Sequence, residues 1–118
     1  MRTVLDLARV ESERVDDIVV ARIYGEVDIS NAGEVSTQLH AAFGNAHRHA
    51  IVDLSETSYL DSIGIRLLFT LAESLRDRRQ ELHVVVPPNS LLLRLLELVD
   101  FARAVQVHPD VASAMRAN

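Results

Sequence analysis

A serine stands in the middle of "YLDSIGIRLLF", Tyr59 to Phe69, where an apolar run gives way to a leucine-rich segment. Its hydroxyl, preceded by Asp61 and followed by Ile63 and Gly64, could act as a nucleophile, cap a helix or be covalently modified. A hydrolase nucleophile elbow needs G-x-S-x-G, and Leu60 occupies the place of the first glycine. No histidine is placed to act as the base: His40, His47 and His49 surround a helix-to-strand connection, His83 lies inside an apolar run and His108 precedes a proline. No catalytic residue is assigned, and the chain is expected not to be an enzyme. His47 and His49 lack a third ligand at a metal-site spacing, so they read as solvated loop histidines, with no metal and no cofactor expected. Neither glycine-rich phosphate-binding pattern occurs. A phosphoacceptor aspartate of the receiver type would need a partner lysine, and the chain has no lysine. What is left is a serine that caps a helix or is itself modified.

The elements that would position Ser62 follow from periodicity. Val4, Ala8 and Val10 within Thr3–Val10 suggest an edge strand, and a stronger strand runs from about Ile18 to Tyr24, ended by Gly25. Asn31 and Glu34 have the spacing of a capping box. Behind them Val35, Leu39, Ala42 and Phe43 mark one face of a helix that stops near Gly44. "HAIVDLS" is short and β-branched, as a central strand buried on both faces would be. From Ser62 to about Arg78 the pattern is helical, with Leu68, Leu71, Ala72 and Leu75 inward and Arg66, Thr70, Glu73 and Asp77 on a polar face. "ELHVVVPP" is another buried strand, stopped by two prolines. Ser90 caps a third helix, "AVQVHP" is a brief strand, and Asp110 caps a short last helix. The third helix is richer in leucine than one buried face requires, and Phe101 and Val105 are expected to fold over the excess.

Strands alternating with helices imply crossovers, hence a small α/β domain with a mixed sheet of four or five strands and about four helices. At 118 residues it is one domain. In such sheets sites gather where strands end and helices begin, and that is where Ser62 falls. The balance of 12 basic against 17 acidic residues gives a net charge of -5, which argues against nucleic acid or an anionic membrane as the main partner. The absence of cysteine, the charged N-terminal stretch without an apolar signal core and the lack of a spanning run all point to the cytoplasm.

The order of elements, with "GEVD" after the second strand, "IVDLSETSYLDSIGIRLLF" in the middle and "LLRLLELVDFARAVQVHPDVASAM" at the end, resembles the STAS domain family. It is most similar to the stand-alone bacterial anti-sigma factor antagonists, from about Val4 to Met115. That resemblance implies a binding protein regulating sigma-factor-dependent transcription. Its partner would be an anti-sigma factor that is also a serine kinase, with a phosphatase acting on the phosphorylated form. Ser62 takes the place of the phosphorylated serine in the family's D-S-[ST]-G motif, and Asp28 that of the aspartate facing the same surface. The implied contact surface is Asp28, Tyr59, Asp61, Ser62, Ile63, Gly64 and Arg66, on a monomer or weak homodimer. Ile63 and Arg66 depart from the family pattern, which usually has a second hydroxyl and a second glycine there. The same fold also serves scaffold and transporter-associated members without phosphorylation, and a domain binding a small molecule or nucleotide at this helix start is the reading from another class. Arg66, four residues after Ser62, is one helical turn away and can pair with a phosphate there.

Overall fold

Two adjacent aspartates make the first turn. In the computed structural model, which describes residues 7–44 and 48–117, β1 (Ala8–Val15) and β2 (Ile18–Val27) form an antiparallel hairpin across Asp16 and Asp17. Asp16 takes a left-handed φ of 56°, which aspartate tolerates better than most residues. The first strand, expected over Thr3–Val10, runs on to Val15. Its outer half, Glu11 to Val15, is wholly exposed and charged, so composition did not mark it as a strand. Backbone pairing with β2 holds it in place. Thr3 to Asp6 fall outside the described residues.

The next elements are α1 (Ala32–Phe43), β3 (His49–Asp53), β4 (Thr57–Leu60), α2 (Ser62–Asp77) and β5 (Glu81–Val85). The chain then forms α3 (Leu91–Leu98), a 3₁₀ turn at Phe101–Arg103, β6 (Gln106–His108) and α4 (Val111–Arg116). Among the described residues the sheet has six strands, in the order β1-β2-β3-β5-β6, with β4 also paired to β2. Only the β1–β2 pair is antiparallel among the described residues. The strand count exceeds the four or five expected, because β4 is a four-residue piece with no alternating pattern. It pairs in parallel with Gly25–Val27, while β3 pairs with Val19–Arg22, so the two short strands share one lane beside β2. Between them Asp53 Oδ1 accepts from the Ser55 amide at 2.9 Å and turns the chain. Thr57 Oγ1, buried, then donates to the Ile23 carbonyl at 2.8 Å and brings it back.

The two faces of the sheet are covered unequally. One carries the main core, where Leu39 and Phe43 of α1 and Leu68, Leu71 and Leu75 of α2 meet Ala21, Ile23, Val52 and Val84. The helical spacing read from the sequence put these side chains on the right faces. The other face holds a small cluster of Val20, Ile51, Val85 and Ala114 under α4. Beside it the half-exposed Arg22 pairs through Nε with the buried Asp53 Oδ2 at 2.7 Å. Coverage of α3 is only partial: Leu92 and Leu96 are buried with Phe101 and Val105, but Leu91 and Leu98 are 82% and 83% exposed. Ser90 and Asp110 cap α3 and α4 as expected, accepting from Leu93 N at 3.1 Å and Ser113 N at 2.7 Å. Among the described residues no helix is long and apolar enough to cross a membrane.

Strand β2 does not end at Gly25 but runs through it. The glycine has a φ of 95°, and its register against β4 shifts between Gly25 and Glu26. A Cβ there would sit 2.0 Å from the Leu7 carbonyl oxygen, so both conformation and space demand glycine. Gly25→Ala should therefore lower the unfolding free energy by about 2–4 kcal/mol. A urea titration reads this directly, and an unchanged midpoint would mean that the kink is not needed.

Candidate functional site

The start of α2 is built around Asp61. Its backbone is extended, at φ -85° and ψ -174°, and its carboxylate Oδ1 accepts from the Gly64 amide at 2.9 Å. Asp61 is thus the helix cap and Ser62 the first helical residue, one place on from the capping role open to Ser62 in the sequence. The second carboxylate oxygen, Oδ2, accepts from the Ile29 amide at 3.1 Å, across 32 residues. One side chain therefore both starts α2 and holds the β2–α1 loop against it.

That loop is tied from its other side by Asn31. The Asn31–Glu34 capping box does not form: Asn31 makes no side-chain cap bond to α1. It is buried and turned back, with Nδ2 donating to the Glu26 carbonyl at 2.9 Å and Oδ1 accepting from the Asp28 amide at 3.0 Å. The Asp28 carboxylate accepts from both the hydroxyl and the amide of Ser30, the turn geometry aspartate favours. Those two donors, the hydroxyl first, hold the Asp28 carboxyl below the usual carboxylate range.

The expected surface residues separate into two groups. Tyr59, Ser62, Ile63 and Arg66 are exposed together around the helix start, with Asp61 half-buried between them and the Asp28 loop. Ser62 makes no hydrogen bond through its hydroxyl, and Arg66 makes no ion pair, among the described residues. Gly64 is different. It is buried, and a Cβ on it would meet the Val27 carbonyl oxygen at 3.1 Å and Leu60 Cδ2 at 3.2 Å. Its place is to bring α2 close to the end of β2, and it offers no surface to a partner.

One neighbouring feature had no signal strong enough to find it. Tyr59 also lines an apolar groove of about 400 Å³ between β4 and α3, with Leu91, Leu95 and Leu98. The surplus of leucine in α3 was legible, but its juxtaposition with Tyr59 depends on the placement of β4. Of the loop histidines, His47 lies outside the described residues, while His49 begins β3 and faces β5.

Comparison with known proteins agrees with this architecture. The family model "STAS domain" matches residues 9–114. The anti-sigma-B factor antagonist of Listeria monocytogenes is 29% identical over 106 residues, 90% of this chain and 91% of that protein. An anti-sigma factor antagonist from Mycobacterium paratuberculosis has a similar crystal structure, with a TM-score of 0.82 at 22% identity over 93% of this chain and 92% of that one. The Bacillus cell fate determinant SpoIIAA in its phosphorylated form gives a TM-score of 0.67 at 19% identity over 93% and 100%. At such identities the two structural likenesses concern the fold.

Two measurements test the site's construction. Asp61→Ala should cost about 1–2 kcal/mol of stability, since it removes a cap and a loop contact together, whereas Ser62→Ala should stay within about 0.5 kcal/mol. Comparable losses in both variants would return the capping role to Ser62. Ser30→Ala should raise the Asp28 titration towards the ordinary carboxylate value, followed by carbon NMR of the carboxyl. Because the folded-state value is the lowered one, the stability linked to Asp28 is full above the unfolded value near pH ~4 and fades as pH falls through the folded one.

Proposed function

This chain belongs to the STAS domain family, and on that basis we propose that it is an anti-sigma factor antagonist switched by phosphorylation of Ser62. The observation that carries the proposal is the state of the Ser62 hydroxyl. It is exposed, it makes no hydrogen bond among the described residues, and the capping task beside it belongs to Asp61. A kinase can take this hydroxyl without dismantling the helix start.

In the unmodified state the exposed Tyr59 and Ile63 offer an apolar contact next to the Asp28 loop. They would dock on an anti-sigma factor with serine kinase activity and so free the sigma factor in the cytoplasm. A phosphate on Ser62 adds about -1.5 to -2 charges and three strong acceptors. The amides of the first turn of α2, together with the helix dipole, accommodate that charge locally. Arg66, one turn along and exposed, is in reach of the phosphate. The partner surface experiences the opposite effect. A dianion beside Asp61 must be desolvated for the complex to form, and an unpaired buried charge costs several kcal/mol. The fold stays; the affinity falls.

A sequence relative supports this reading by its name, an anti-sigma-B factor antagonist. The cognate kinase and ATP should add a single phosphate, and peptide mapping by mass spectrometry should place it on Ser62. Ser62→Ala should remain unmodified and still bind the kinase, while Ser62→Glu should bind at least about tenfold more weakly. Phosphate on Ser55 or Ser58 with Ser62 unmodified would overturn the site, and tight binding by Ser62→Glu would overturn the switch.

A further inference from the structure

The thinly covered face of the sheet carries a row of imidazoles. His49 begins β3 opposite Glu81, the first residue of β5, and His83 follows two residues later, on the same side of the sheet. His49 Nδ1 lies 3.0 Å from His83 Nε2, and Glu81 Oε1 lies 3.2 Å from that same nitrogen. On its other side His83 Nδ1 is 3.0 Å from His108 Nε2. Gln106 Nε2 donates to Glu81 Oε1 at 2.6 Å. His83 is fully buried, His49 half-buried and Glu81 exposed, so the row opens at the rim of the sheet.

From these groups we propose a Zn²⁺ site formed by His49 Nδ1, His83 Nε2 and a Glu81 carboxylate oxygen, with the fourth position left to water. All three ligand atoms lie within 4.8 Å of one another. Around a tetrahedral zinc ion with bonds of about 2.0–2.1 Å, ligand atoms stand roughly 3.3 Å apart, so the separations of 3.0 and 3.2 Å need only a slight opening. Two imidazoles and a carboxylate are a donor set that zinc accepts.

The hydrogen-bond row provides the surrounding support. A carboxylate only accepts, so in the metal-free chain His83 carries its proton on Nε2, shared with Glu81 and His49. Its bare Nδ1 then accepts from His108 Nε2–H. When the ion takes Nε2, the His83 proton resides on Nδ1 and is donated to His108 Nε2, whose own proton moves to Nδ1. No net proton is gained or lost among the neutral rings. The result is a metal-bound histidine whose second nitrogen is held by a partner, the arrangement that fixes zinc ligands. The site lies at the N-terminal ends of β3 and β5, the opposite edge of the sheet from Ser62, and does not depend on the proposed switch.

The test is a calorimetric titration of ZnCl₂ into the full chain, carrying no affinity tag and freed of metal with a chelator. One ion per chain should bind with a Kd of roughly micromolar or tighter, and zinc should raise the unfolding midpoint in a concentration-dependent way. His49→Ala and Glu81→Gln, at positions open to the rim, should each weaken binding by about tenfold or more without unfolding the chain, while His40→Gln on α1 should leave it unchanged. Absence of saturable binding by the folded wild type up to about 1 mM zinc, about a thousand times the expected Kd, would overturn the site. So would binding that neither His49→Ala nor Glu81→Gln weakens.

Discussion

The domain depends on β2 having two successive parallel partners on one side. β3 takes its first half and β4 its second, and the chain between them must leave the sheet and re-enter it without losing its lane. Backbone amides in a buried lane have no water to turn to, so each break needs a side chain or a bulge to compensate. Gly25 supplies the bulge, Thr57 the returning hydrogen bond and Asp53 the turn. With the lane complete, β4 ends beside Val27, Asp61 N bonds to the Val27 carbonyl at 3.2 Å, and α2 starts there. The location of Ser62 is a consequence of how β2 is paired.

Around that point polar side chains do what regular structure leaves undone. Asn31 ties the end of β2 to the start of α1, Asp28 folds its own loop, and Asp61 joins the loop to α2. Each link is a charged or amide group meeting main-chain N–H or C=O, a class of contact that is directional as well as favourable. Arg22 and Asp53 act similarly on the other face, where a buried carboxylate would be costly without its guanidinium partner. Apolar packing sets which elements touch, and these few contacts set how the site is arranged.

Much of this was legible in the sequence, for identifiable reasons. The helices announce themselves by a 3.6-residue period and by local caps, so α2, α3 and α4 with Ser90 and Asp110 were readable from a few residues each. The buried strands β3 and β5 were legible as short β-branched runs. What escaped is whatever long-range pairing decides. The charged outer half of β1 is a strand only because β2 runs beside it, and Thr57–Leu60 is a strand only because β2 continues past Gly25. Asp61 and Ser62 are both good caps, and the extended backbone of Asp61 chooses between them. Asn31 was misread because its partner, the Glu26 carbonyl, lies behind it in the chain rather than ahead. His49 and Glu81 are 32 positions apart, and nothing short of the parallel register puts them together.

The unequal cover of the two sheet faces has a dynamic meaning. Stability within a domain is graded, and segments with little buried area open alone, at a free-energy cost below that of global unfolding. With six residues, of which Ala114 alone is fully buried, α4 is such a segment, whereas α1 and α2 are interlocked through the main core. Transient release of α4 lets solvent reach Val20, Ile51 and Val85 at the centre of the sheet while the opposite layer stays shut. By this reasoning the domain should have a fast-breathing side and a slow one. Amide hydrogens of α4 are expected to exchange through a small local excursion, and those of α1 and α2 only when the whole molecule comes apart.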